Sequence, residues 1–168
     1  MRRIFILLVL ALLAVDAAAQ QYPERRQVRK GNRAYEKGNY QDAAGRYMRA
    51  LGADPSSFEA QYNLGNALHR QEMYDQAAQV QQQAAADSLA APVDRAQAFY
   101  NLGNTQFRQQ KYAEALESYK NSLRMNPADQ EAKYNYAYTK RLLQKQQNED
   151  QNKDQNKDQQ NSGGQDQN

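Results

Sequence analysis

From about residue 24 to residue 146, apolar side chains recur every three or four positions with polar residues between them. That spacing puts them on one face of a helix. It predicts helix pairs near 24–37 and 41–53, 58–71 and 74–89, and 93–109 and 112–125, with a closing helix near 129–146. Pro55 and Pro127 follow Asp54 and Asn126, where the second helix of a pair should stop, because proline lacks the N–H that continues the ladder. Ser57 stands as an N-cap before Phe58-Glu59-Ala60, and Pro92 suits a first turn.

Three segments repeat one pattern: GNRAYEKGNYQDAAGRY (31–47), GNALHRQEMYDQAAQVQ (65–81) and GNTQFRQQKYAEALESY (103–119). Their leading glycines Gly31, Gly65 and Gly103 are 34 and then 38 residues apart. A period of about 34 residues is that of stacked helical hairpins, which build a groove rather than a catalytic cleft. The four extra residues of the second unit belong at SLAAPVDR (88–95), where they lengthen the preceding helix or the loop. Glycine inside a helix is unfavourable by about 1 kcal/mol relative to alanine. Three such glycines therefore imply close approach of a neighbouring helix, with Ala43, Ala77 and Ala115 in the matching role on the second helices. Tyr40, Tyr74 and Tyr112 fall at the turns, where a ring wedges between helices while its hydroxyl stays wet. Leu64, Leu68, Leu102 and Phe107 supply core area, with Leu51, Leu116 and Leu123.

FYNLGNTQFRQQKYAEALESYKNSLRMNP (99–127) resembles a near-complete tetratricopeptide repeat. AQYNLGNALHRQEMYDQAAQ (60–79) resembles it in its first half, and RKGNRAYEKGNYQDAAGRYMRALGADP (29–55) in its second. The resemblance covers about residues 24–146 and implies an all-α solenoid of three hairpins, near 24–57, 58–95 and 96–129, plus the closing helix. A narrower resemblance rests on NPADQEAKYNYA (126–137) running into a Gln-rich tail after three repeats and a signal-like start. This layout is similar to the tetratricopeptide proteins of the Bacteroides aerotolerance operon. That family implies a periplasmic adaptor beside membrane-anchored von Willebrand factor A-domain proteins. An assembly factor for envelope or secretion machinery is the alternative within binding modules.

In the tetratricopeptide fold the first helix of each hairpin lines the concave face, and side chains at i, i+3 and i+4 share it. The candidate groove is then Asn32 and Tyr35 in the first unit, and Tyr62, Asn63, Asn66, His69 and Arg70 in the second. It continues through Tyr100, Asn101, Asn104, Phe107 and Arg108 to Tyr134, Asn135 and Tyr138 of the closing helix. Asn63, Asn101 and Asn135 are in register, as are Tyr62, Tyr100 and Tyr134. A carboxamide matches one peptide unit in donors and acceptor, so a ladder of them suits an extended backbone. The same asparagines equally suit helix packing. Relatives that grip a C-terminal carboxylate use paired lysines, and the matching sites here are Val28 and Tyr100.

Residues 1–19 read as a secretory leader: Arg2 and Arg3, an apolar run of 12 residues from Ile4 to Val15, then Ala17-Ala18-Ala19. An uncleaved anchor is the alternative, though a span needs about 20 residues. Export to the periplasm of a Gram-negative bacterium is the expected location. Without cysteine, stability rests on packing. The chain after the leader has 20 basic and 18 acidic residues, too balanced for an overall nucleic-acid footprint. Of the 25 residues from Gln144 to Asn168, 14 are Gln or Asn, so residues 147–168 are expected to form a disordered tail. His69 is the single histidine, and no phosphate loop, nucleophile elbow or carboxylate cluster is present. The expectation is a non-catalytic protein without cofactor, metal or small-molecule substrate, meeting the membrane through its partners or an uncleaved leader. A hydrolase or redox protein is the alternative from another class.

Ala77→Leu should overpack the second hairpin and destabilise it by roughly 1–3 kcal/mol, read as a lowered unfolding temperature. Unfolding at the wild-type temperature would count against the helix pair.

Overall fold

The structure, a computed structural model, describes residues 22–162; the leader-like segment and residues 163–168 lie outside it. Among the described residues there are seven helices and no strand: α1 Pro23–Glu36, α2 Tyr40–Ala53, α3 Phe58–Arg70, α4 Tyr74–Ala86, α5 Pro92–Arg108, α6 Tyr112–Met125 and α7 Gln130–Ser162. They pair as hairpins α1–α2, α3–α4 and α5–α6, with α7 closing the stack on α6. First helices also touch each other, α1 to α3 and α3 to α5, whereas the second helices make no comparable contact. The stack therefore curves with the first helices on its inner face.

The ends of the helices follow their local chemistry. Asn39 Oδ1 accepts from Asp42 N at 3.2 Å, and Ser57 Oγ accepts from Ala60 N at 3.4 Å. Asp129 Oδ1 accepts from Ala132 N at 2.9 Å and starts α7. These caps satisfy amides that have no partner within the helix. Each hairpin turn has one residue in the left-handed region: Gly38 at φ 76°, and Glu72 and Gln110 at φ 61°.

The extra four residues went neither into the preceding helix nor mainly into the loop. Helix α4 stops at Ala86 rather than 89, and α5 is 17 residues long against 13 for α3. Helix α5 gains one N-terminal turn, started by Pro92. Arg95 on that turn donates from Nε to the carbonyl of Ala85 at 3.1 Å, capping the last turn of α4. Ala84, Ala85 and Ala98 are fully buried there, with Phe58, Tyr62 and Phe99 packed around them.

The repeat glycines are approached, as expected, by the neighbouring second helix, and it is a side chain of that helix that comes closest. A Cβ on Gly31 would lie 2.5 Å from the Tyr47 ring, and one on Gly103 would lie 2.6 Å from the Tyr119 ring. One on Gly65 would lie 2.6 Å from Cγ of Gln81. What fills the gap is a side chain 16 residues on, and at Gly65 the backbone N of Gln81 also comes to 3.6 Å. Tyr47 and Tyr119 are 1% exposed and are the largest fully buried side chains. Ala43, Ala77 and Ala115 are fully buried as expected. Phe107 is only half-buried; its register mates are Tyr35 and His69 rather than Leu68, so it faces the groove.

Helix α7 packs through Ala132 and Thr139, and its last half-buried side chains are Leu142 and Leu143. Residues 144–149 are all exposed. The helical backbone nevertheless continues past 146 to Ser162. Gln, Lys and Asp tolerate helix, Lys145 and Glu149 pair at 3.8 Å one turn apart, and the first breaker in sequence is Gly163-Gly164. No helix among the described residues is long and apolar enough to cross a membrane.

Gly103→Ala should destabilise the fold by about 1–3 kcal/mol despite its better helix propensity, because the Tyr119 ring must move. Gly52→Ala, with nothing within 4 Å of its added Cβ, should be neutral or stabilising. Urea midpoints of the two variants check this; equal shifts would contradict the ring contact.

Candidate partner-binding groove

Three connected pockets run along the inner face. The first, of about 220 Å³, lies between α1 and α3 and includes Asn32, Tyr35, Asn63 and Asn66. The second, of about 250 Å³, lies between α3 and α5 and is lined by Tyr62, His69, Arg70, Asn101 and Asn104, sharing Tyr35 and Asn66 with the first. The third, of about 350 Å³, lies between α5 and α7 and takes in Phe107, Arg108, Tyr134, Asn135 and Tyr138, sharing His69 and Asn104 with the second. The candidate residues are thus brought to one face; Tyr100 is absent from the pocket linings but joins the face through its hydroxyl, which accepts from Asn135 Nδ2 at 3.2 Å. The Tyr100 ring leans on Tyr119 at 6.0 Å and its hydroxyl donates to Glu131 Oε2 at 3.2 Å.

The asparagines form pairs between units. Asn63 Nδ2 donates to Asn32 Oδ1 at 3.2 Å, Asn101 Nδ2 to Asn66 Oδ1 at 2.9 Å, and Asn135 Nδ2 to Asn104 Oδ1 at 3.0 Å. The buried tyrosines join this ladder. Tyr47 donates to Asn32 Oδ1 and Tyr119 to Asn104 Oδ1, each at 2.8 Å. Two donors fill both lone-pair positions of those carbonyls. Burial pushes the pKa of both phenols well above the ordinary range, so both stay protonated and donate at any physiological pH. The ladder is therefore first a packing device, and it leaves groove capacity mainly on Asn63, Asn66 and Asn101.

The middle unit departs from its neighbours. Gln81, 2% exposed, stands where the others have tyrosine, so Asn66 has no phenol donor. The fully buried Thr105 hydroxyl donates to Gln81 Oε1 at 2.7 Å. Its oxygen then accepts from His69 Nδ1–H at 2.8 Å, which fixes the tautomer and turns Nε2 toward the groove. His69 is half-buried, with its ring 5.4 Å edge-on from Tyr74. Tyr35–Tyr40 at 5.0 Å and Phe107–Tyr112 at 5.5 Å repeat that wedge across the other turns.

Two arginines punctuate the groove. Arg70 donates from Nη2 to the Tyr40 hydroxyl at 2.9 Å, and Arg108 from Nε to that of Tyr74 at 3.1 Å. Their guanidinium carbons lie 5.1 and 5.7 Å from the same rings. Each is steered by the preceding unit while its other donors face solvent. Tyr134 and Tyr138 stack nearly parallel at 6.3 Å, and Phe107 lies 5.9 Å from Tyr138, giving the third pocket an aromatic wall. Val28 is 2% exposed and belongs to the core, so neither it nor Tyr100 supplies a clamp cation. Tyr47, Gln81, Tyr119 and Thr139 also reach the pockets, from outside the first-helix faces that the pattern singled out.

Stacked hairpins with a pocketed inner face define a helical-repeat module. Models of the tetratricopeptide repeat match residues 28–92 and 96–129, together more than half of the chain, and the protein belongs to that family. No curated protein matches the chain. Among solved structures it is similar to the first repeat domain of Spaghetti (RPAP3), bound to the HSP90 peptide SRMEEVD. That similarity has a TM-score of 0.67 and 25% identity, over 73% of this chain and 94% of that one. The solution structure of the first repeat domain of human RPAP3 gives 0.68 and 24%, over 74% and 95%. The Sgt2 repeat domain of Aspergillus fumigatus gives 0.68 and 21%, over 75% and 82%.

Desolvation, then Arg108 and Arg70, lower the His69 pKa below its ordinary value. A depressed histidine contributes stability that is fully present above its unfolded pKa of about 6.5 and is lost as pH falls below it, because the unfolded chain protonates first. The urea midpoint should fall between about pH 7 and pH 5, and His69→Gln should flatten that fall. An equal fall in the variant would contradict the placement of His69.

Proposed function

We propose that this protein is a non-catalytic, exported adaptor that holds an extended segment of a protein partner along its inner groove. Three connected pockets on one rigid face carry this reading. They offer carboxamides for a peptide backbone and aromatic walls for its side chains. The peptide bound by the similar Spaghetti domain supports a protein ligand, although the lysine pair of a carboxylate clamp is missing here. The partners we favour are membrane-anchored von Willebrand factor A-domain proteins of an aerotolerance or stress complex in the periplasm. That step rests on the leader-like residues 1–19 and on the resemblance of residues 126–137 and the Gln-rich tail.

A photoreactive residue at Tyr134, 67% exposed at the third pocket of the groove, should capture one dominant partner in intact cells. The same residue at the exposed Lys120 of α6 should not. Capture from Lys120 alone would overturn the groove. A partner without an A-domain would leave the adaptor standing and remove the aerotolerance setting.

A further inference from the structure

Charge along this chain is unevenly placed. Residues 22–53, the first hairpin, have eight Lys or Arg against three Asp or Glu, while residues 54–168 have twelve against fifteen. The near-neutral total conceals a cationic end on an otherwise acidic molecule. Helix α1 and its C-cap Lys37 concentrate it: Arg26, Lys30, Arg33 and Lys37 follow one another at intervals of four, three and four residues, so they line up along one side of the helix. That side is the outer end of the stack, since α1 turns Val28, Gly31 and Ala34 inward and gives Asn32 to the groove.

The stripe borders an open depression of about 360 Å³ that includes Lys30, Arg33, Lys37 and, from α2, Arg46. One carboxylate lies in it, Asp42, and Arg46 takes it at 3.3 Å. Among the described residues, none of the four stripe cations is in an ion pair. A solvated end cap needs polarity but not a single sign. Four like charges held side by side repel one another, and an anionic surface relieves that repulsion.

We propose that the outer face of α1 docks on the anionic headgroups of a phospholipid surface. A helix stripe of Lys and Arg along the exposed end of the stack matches a plane of negative charge better than it matches a point ligand. In sequence, the apolar segment Ile4–Val15 stands only a few residues before α1. Docking in this way leaves the groove, on another side of α1, open to a partner. The site is separate from the groove and does not depend on what the groove binds.

The test is sedimentation of the chain from Gln20, which contains every packed residue of the domain, with lipid vesicles. Vesicles with about 30 mol % phosphatidylglycerol should retain it about tenfold more tightly than pure phosphatidylcholine, and about 0.5 M salt should abolish the difference. Replacing Arg26, Lys30, Arg33 and Lys37 by glutamine should weaken retention about tenfold or more, with helicity unchanged by circular dichroism. Replacing Lys120, Arg124, Lys133 and Lys140, at the other end, removes the same charge and should change retention less than about twofold. Equal retention on neutral vesicles, or equal loss in the two variants, overturns the proposal. Binding to poly-glutamate with none to vesicles also overturns it, and assigns the face to an acidic protein segment.

Discussion

Everything in this stack is built around a ring lying where a Cβ is missing. Gly31 and Gly103 leave a notch in the first helix of their hairpins, and the rings of Tyr47 and Tyr119 lie in it closer than any side-chain-bearing residue would allow. The ring thereby sets the separation of the two helices. Its hydroxyl reaches through to an asparagine one residue beyond the glycine and fixes that carboxamide. A single side chain thus determines both the hairpin and the orientation of a groove group.

The asparagines carry that constraint from one unit to the next. Each accepts from the asparagine of the following first helix, so the line of amides joining the units is also the floor of the groove. Stacking and recognition share the same atoms. The middle unit loosens this arrangement. Gln81 turns its carboxamide to Thr105, and through Thr105 to His69, which leaves Asn66 with an open acceptor beside the central pocket. The chain therefore has two rigid pairings flanking one polar, titratable one.

Much of the architecture was legible because period and breakers are local. The glycine spacing, Pro55, Pro127 and the Ser57 cap placed the bounds of six helices to within a few residues. The ring partners were harder. Tyr47 and Tyr119 recur 16 residues after their glycines, but a buried tyrosine in a polar-looking stretch gives no sign of its burial. The middle copy is Gln, which hides the recurrence. The extra turn of α5 was ambiguous since its residues favour helix and loop alike. Fourteen of the fifteen candidate groove residues line the pockets because they follow the helical period. Tyr100 stands just behind them, its hydroxyl held between Asn135 Nδ2 and Glu131 Oε2 of a helix whose position no local pattern gives.

The contact between Gly103 and the Tyr119 ring is most directly tested by a double-mutant cycle of Gly103→Ala with Tyr119→Leu, read by urea unfolding. If the ring fills the notch, alanine at 103 is tolerated once the ring is gone, and the two changes couple by about 1 kcal/mol or more. Additive effects, with alanine equally unfavourable beside leucine, would contradict the account.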